Sequence, residues 1–198
     1  MKFIIEHLEP ELFEWCLIEY GHISEIVGKE NLIFTNIKNK KDYSKLKKLG
    51  NAFEEKISEL KDKLNFDKNK ICILSQYAKK TLETNDKNKF EYFVFGGILG
   101  DKPAKRRTED ILSELRQNKI KFEERNLGSV QMPTDNAVYA VKKILGGAKL
   151  TDLRFIDEVE IEINKNEAVT LPFRYVIDNN KLVISEKLVE HLRKRKEF

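Results

Sequence analysis

The sequence predicts an α/β fold built on a parallel sheet, and two features carry that prediction. Short apolar runs recur without polar alternation: Phe3-Ile4-Ile5, Leu32-Ile33-Phe34, Ile71-Cys72-Ile73-Leu74 and Tyr92-Phe93-Val94-Phe95. Such runs suit strands covered on both faces, the usual state of a parallel sheet. Between them lie segments with apolar residues at helical spacing, and that alternation is the α/β signature.

The elements follow in order. Leu12, Phe13, Cys16, Leu17, Tyr20, Ile23 and Val27 line one helical face, and Gly28 is a natural stop. The Lys-rich stretch 38–48 reads as surface. Phe53, Ile57, Leu60 and Leu64 predict an amphipathic helix over 52–64. A helix over Thr108–Gln117 turns Ile111, Leu112 and Leu115 inward. Ile120 and Phe122, set among charged residues, predict a strand over 119–124. A further helix starts near Thr134 as N-cap and ends at Gly146-Gly147.

The last fifty residues change character. Val159, Ile161 and Ile163 alternate with Glu158, Glu160 and Glu162, so one face of that strand is wet. Runs 172–177 and 181–184 flank Asp178-Asn179-Asn180, a hairpin signal. A helix carrying Leu188, Val189 and Leu192 closes the chain. The expected organisation is a core over 1–150 that contains the ligand loops, with 151–198 packed on it as an extension.

Composition sets bounds. A chain of 198 residues with 40% hydrophobic residues can bury a core without staples. The net charge of +4 is mild and does not itself imply nucleic acid; the basic residues cluster at Lys102–Arg107 and Arg193–Lys196. Cys16 and Cys72 sit inside apolar runs, as small core residues do. No Cys/His spacing suggests a metal site, and no signal peptide or membrane-spanning run is evident. A soluble cytoplasmic protein is expected, with no membrane partner.

Two segments carry candidate chemistry. In Phe93–Asp101 an apolar strand runs directly into Gly96, Gly97, Gly100 and Asp101. Ligands of open α/β sheets sit beyond the carboxyl ends of strands, and glycine lets backbone approach them closely. Asp101 is placed to accept from a ribose or to hold a cation; a tight turn with a solvated Asp is the plainer reading. The spacing matches neither a dinucleotide fingerprint nor a phosphate loop. The second segment, Asn126–Asp135, joins a strand to a helix and is uncharged until Asp135, which suggests burial or ligand contact. Asp135 is expected to cap or complement its helix. Arg174, between Phe173 and Tyr175, has three options: a cofactor carboxylate, an RNA phosphate, or bracing of the hairpin, which is favoured. His7, beside Glu6, is either a base or an ordinary hydrogen-bonded strand-end residue.

These segments, with Ile4-Ile5-Glu6-His7, Arg107-Thr108, Asn164–Ala168 and Pro172–Tyr175, resemble one family of SPOUT methyltransferases along almost the whole chain. The resemblance is weakest over 38–70. Archaeal members of that family are described as RNA methyltransferases; a fungal member methylates an arginine of a small-subunit ribosomal protein. The resemblance implies a SPOUT-type parallel sheet with a trefoil knot towards the C-terminal half, and S-adenosylmethionine as cofactor. It implies that Phe95, Gly96, Gly97, Gly100, Asp101, Leu127, Gly128, Gln131 and Met132 hold that cofactor. An arginine acceptor needs a carboxylate to orient a nitrogen and take up a proton, and Glu6, Asp101 and Glu167 are the candidates.

Three functions stay open: methylation of an arginine in a ribosomal protein, methylation of rRNA or tRNA, and a non-catalytic cofactor- or RNA-binding module. The patch at Lys102, Lys105, Arg106 and Arg107 suits RNA, whereas the acidic strand 158–162 suits a basic protein segment. The fungal relative favours protein, and a monomer over a dimer.

Overall fold

A computed structural model describes residues 1–64, 70–97, 106–165 and 167–194. Strands β1 (Lys2–His7), β2 (Leu32–Thr35), β3 (Asn51–Ala52), β4 (Ile71–Leu74), β5 (Tyr92–Gly97) and β6 (Glu123–Arg125) form one sheet in the order β3-β2-β1-β5-β4-β6. Every pairing in it is parallel. Helices α1 (Glu14–Val27), α2 (Lys40–Leu46), α3 (Thr108–Gln117), α4 (Thr134–Leu145) and α5 (Glu186–Lys194) complete the layers. A second sheet, β7 (Arg154–Asn164), β8 (Glu167–Asp178) and β9 (Lys181–Leu182), is antiparallel. The four apolar runs are thus β1, β2, β4 and β5, each covered on both faces.

Alternation along β1 shows the two cores. Phe3 and Ile5 point into one with Tyr20 and Ile23 of α1 and Val138 and Val141 of α4. Ile4 points into the other, with Ile111, Leu112 and Leu115 of α3 and Ile57 and Leu60. A third cluster joins Val159, Leu171 and Tyr175 of the second sheet to Leu188 and Leu192 of α5, against Trp15 and Ile18 of α1.

Several local expectations need correction. No helix spans 52–64. The Phe53 amide bonds the carbonyl of Phe34, and the Phe53 and Glu55 carbonyls accept from the amides of Ile37 and Asn36. That backbone is spent on the β2 side, so only a 3₁₀ turn, Ile57–Glu59, forms. The Lys-rich stretch contains α2, whose Asn39 cap accepts from the Lys41 and Asp42 amides, and it buries Leu46. The strand expected from 119 starts at Glu123. Before it, Lys119 takes a φ of 55° and the Ile120 amide bonds the Leu115 carbonyl, closing α3 instead of opening a strand. Thr134 is the first residue of α4, not its cap; Pro133 precedes it and offers no side-chain bond.

A buried side-chain amide is one of the ties between the second sheet and the core. Asn136, in the first turn of α4, accepts from the Val176 amide at 2.8 Å and donates to the Val183 carbonyl at 3.0 Å. Asn136→Leu keeps the volume but strands both backbone groups, each at about 1–3 kcal/mol. Its denaturant midpoint should fall accordingly, and proteolysis should cut first within 154–184. A midpoint equal to the parent's would show that the other contacts, among them Tyr139 to Asp178 and the Arg174 amide to Gln131, hold the second sheet without Asn136.

Candidate active site

A cleft opens beyond the carboxyl ends of β4 and β5. Phe95 and Gly96 form one wall, and Leu127, Gly128, Gln131 and Met132 form the facing wall. Six of the residues expected at a ligand are therefore brought together. Gly100 and Asp101 lie outside the described residues. Gly97 does not line the cleft: a Cβ there would lie 2.2 Å from the Tyr20 hydroxyl and 2.7 Å from Ile5 Cγ2. Its glycine answers to packing against α1. Gly96 differs, since a Cβ there would meet only ordinary contacts at 3.4 Å or more. Gly128 takes a φ of 95°, a conformation that favours glycine.

The sequence reading missed other walls. Leu74, Ser75, Gln76 and Tyr77 line the cleft directly after β4. The signal was available, because they follow an apolar run just as Gly96 follows β5. Arg106, Thr108 and Glu109, at the start of α3, also line it; Arg106 belongs to the basic patch and Thr108 to a segment of the family resemblance, whereas nothing in sequence marks Glu109. Arg125 reaches the cleft from β6. It is 3% exposed and bonds Asp86 twice, at 2.9 and 3.0 Å, over the ring of Phe90. Its charge is compensated inside the protein.

The loop 127–132 is braced on three sides. The Asn126 side chain accepts from the Gly128 amide at 3.0 Å. Gln76 donates to the Ser129 carbonyl. The Arg174 amide donates to the Gln131 carbonyl at 2.9 Å, while the Arg174 guanidinium grips Asp157 at 2.5 and 2.7 Å. Arg174 is therefore a brace, as favoured, and it braces the cleft loop as well as the hairpin. Asp135 complements its helix, as expected, from the first turn of α4. It accepts from His22 Nδ1 at 2.7 Å and from the Asn136 amide at 2.7 Å.

Of the catalytic carboxylates proposed from sequence, Asp101 lies outside the described residues, and Glu6 and Glu167 do not line the cleft. Glu167 lies at the tip of the β7–β8 hairpin, bonded to Asn164. Along β8 it stands about 23 Å from Arg174 at 3.3 Å per residue. Glu6 is 1% exposed and accepts from Thr35 Oγ1 and from the Ile57 amide at 3.0 Å. Burial pushes its carboxyl up to about 7, with the charge of Glu114 adding to that. Glu6 is a lock between β1, β2 and the 57–59 turn. His7 stands on the opposite face, its Nδ1 2.9 Å from the Tyr20 hydroxyl, and burial lowers its pKa. Among the described residues no group of three or more Cys, His, Asp or Glu is placed to hold a metal, and no helix is long and apolar enough to cross a membrane.

A doubly covered parallel sheet with a glycine-bearing cleft at its strand ends is common to open α/β ligand-binding folds, of which the SPOUT fold is one. Trm10 from Thermococcus kodakaraensis shares the fold, with a TM-score of 0.64 at 18% identity over 76% of this chain and 95% of that one. Residues 2–197 match the family described as SFM1-like: Protein arginine N-methyltransferase SFM1-like. The chain belongs to that family. It is 38% identical to protein arginine N-methyltransferase SFM1 of Saccharomyces cerevisiae, over 98% of this chain and 95% of that protein. Crystal structures of the yeast enzyme superpose with TM-scores of 0.88 in complex with SAM and 0.86 with SAH, each at 35% identity. They cover 98% and 96% of this chain, and 90% and 94% of theirs.

The site makes two predictions. Gly97→Ala should cost about 1–3 kcal/mol by overpacking against Tyr20, and Gly96→Ala much less, in paired denaturant titrations. Equal losses would remove the packing explanation for Gly97. The second concerns Glu6, whose folded pKa of about 7 lies above the ordinary 4.5. The folded state then binds the extra proton between those values. The contribution from this group is complete below about 4.5 and is lost as pH rises through about 7, on the order of 3 kcal/mol in all. Glu6→Gln should flatten that part of the stability–pH curve. An unchanged slope between pH 5 and 8 would show that Glu6 titrates normally.

Proposed function

We propose that this protein transfers a methyl group from S-adenosylmethionine to an arginine side chain of a protein, with a small-subunit ribosomal protein as the acceptor. The observation that carries the reading is the cleft at the ends of β4 and β5 in a chain that belongs to the SFM1-like arginine methyltransferases. Its lining suits a nucleoside. Leu74, Phe95, Leu127, Val130, Met132 and Ala137 supply apolar surface, and backbone polar groups at Gly96 and Gly128 are reached without a side chain in the way.

When bound, S-adenosylmethionine supplies a sulfonium methyl with its own leaving group. The contribution of this chain is placement and exclusion of water. Phe95, Gly96, Leu127, Gly128, Gln131 and Met132 hold the cofactor between two walls whose backbones are fixed by hydrogen bonds. Fixing both reactants in line supplies much of the rate for such a displacement. In such a transfer an N–CH₃ bond would form as the S–CH₃ bond breaks, the thioether S-adenosylhomocysteine would leave, and the proton displaced from the guanidinium nitrogen would pass to water. The acidic strand 158–162 supports a basic protein acceptor.

Labelled S-adenosylmethionine incubated with small ribosomal subunits tests the reading. The label should be removed by protease, survive RNase, and appear as methylarginine on hydrolysis. Label recovered in nucleotides after RNase digestion would replace it with RNA methylation.

A further inference from the structure

We infer that Tyr77 and Glu109 form the subsite for the acceptor guanidinium, and that Arg106 occupies it until an acceptor arginine displaces it; this rests on the arginine methyl transfer proposed above. The Arg106 guanidinium carbon lies 4.2 Å from the centroid of the Tyr77 ring, and both residues line the cleft. That is a guanidinium bound face-on to an aromatic ring, beside the walls assigned to the cofactor. Tyr77 is 44% exposed. Its ring is presented to solvent and to the cleft, not absorbed into the core.

Charge supplies the second observation. Glu109 is the one carboxylate lining the cleft among the described residues, and it makes no side-chain hydrogen bond or ion pair with any of them. The neighbouring charges are cancelled differently. Arg107 pairs with Glu9 at 2.7 Å, and Arg125 pairs with Asp86 and Glu123. Arg106 sits one turn from Glu109, joined to it by a backbone bond of 2.9 Å, yet its guanidinium goes to the tyrosine. The cleft is therefore lined by one exposed tyrosine ring and by one carboxylate that has no partner among the described residues.

These groups suit a guanidinium better than an ammonium. A guanidinium stacks by its face and donates from its edge, so it can use Tyr77 and Glu109 together. With the face and one edge held, one nitrogen is left to meet the methyl. An ammonium has no planar face and gains less from the pair. Arg106 is exposed, so its long side chain can leave the ring for water at little cost.

The test uses the full chain and two small probes, N-acetyl-arginine amide and N-acetyl-lysine amide, titrated by NMR. Arg106→Ala should bind the arginine probe about tenfold more tightly than the parent, the scale of one cation–π contact. Tyr77→Ala and Glu109→Gln should each weaken it about tenfold or more, and Tyr77→Phe should retain it. In transfer to small ribosomal subunits, Glu109→Gln should raise KM for the subunit with affinity for S-adenosylmethionine unchanged. Equal arginine binding by the parent, Tyr77→Ala and Glu109→Gln would overturn the subsite, as would no binding by Arg106→Ala. A gain in Arg106→Ala shared equally by the lysine probe would overturn displacement of a stacked guanidinium. These outcomes are separate from the proposed function: that fails if the parent puts no methyl on arginine, whatever the probes do.

Discussion

The first turn of α4 is the point from which the cleft is built. Loop 127–133 ends there, so whatever fixes that turn fixes one wall. Glu19 of α1 accepts from the Asp135 amide at 3.2 Å, and His22 of α1 reaches the Asp135 carboxylate at 2.7 Å. Asn136 binds the second sheet through Val176 and Val183. Burial, then the nearby charge of Asp135, pushes the Glu19 carboxyl up to about 8. That shift favours the protonated acid and so eases repulsion between two adjacent buried carboxyls. The node then works by hydrogen bonds, which position groups with less desolvation cost than paired charges. Its reach extends to Arg174, whose amide holds Gln131 while its guanidinium holds β7. The antiparallel sheet thus serves the cleft as a buttress.

The glycines around the cleft illustrate how unlike causes leave the same letter in a sequence. Gly96 borders the cleft with room for a methyl, so its freedom concerns what approaches from the cleft side. Gly97 is a packing glycine under Tyr20. Gly128 is a conformational glycine at φ 95°. Adjacent strand positions face opposite sides, so neighbours such as Gly96 and Gly97 answer to different layers.

That alternation also explains what was legible. The four apolar runs revealed β1, β2, β4 and β5 because strands covered on both faces leave no polar residue to confuse the pattern. Helix α3 was readable because its first turn is acidic and its apolar face regular. Residues 52–64 misled, because spacings of three and four also fit successive tight turns; the deciding fact, that Phe53 pairs with Phe34, is non-local. Strand β6, Glu-Glu-Arg, carries no strand signal; it pairs with β4, and its Arg125 bonds Asp86 across 39 residues. At the site, the glycine segments and the 127–132 loop were legible, since they end predicted strands. Tyr77 was within reach of the same rule. Arg106 was legible only as part of a basic patch, and Glu109 was not legible, because a carboxylate without a partner among the described residues is a property of its surroundings, and sequence records only the residue.

Charge then separates structural acids from those available for chemistry. Glu6 and Glu19 have the most perturbed carboxyls, with values of about 7 and about 8, yet both are sealed against backbone donors. A raised carboxyl is a common mark of an active site, and here it marks locks between layers. The acid that matters for a cationic acceptor has the opposite character. A sulfonium and a guanidinium at reacting distance repel, by about 4 kcal/mol at 4 Å and an effective dielectric near 20. That repulsion is reduced most by a carboxylate that no cation among the described residues pairs. With Arg125 and Arg107 both committed to other acids, Glu109 stands in that position, and the stacked Arg106 is the internal cation such a site would be expected to attract.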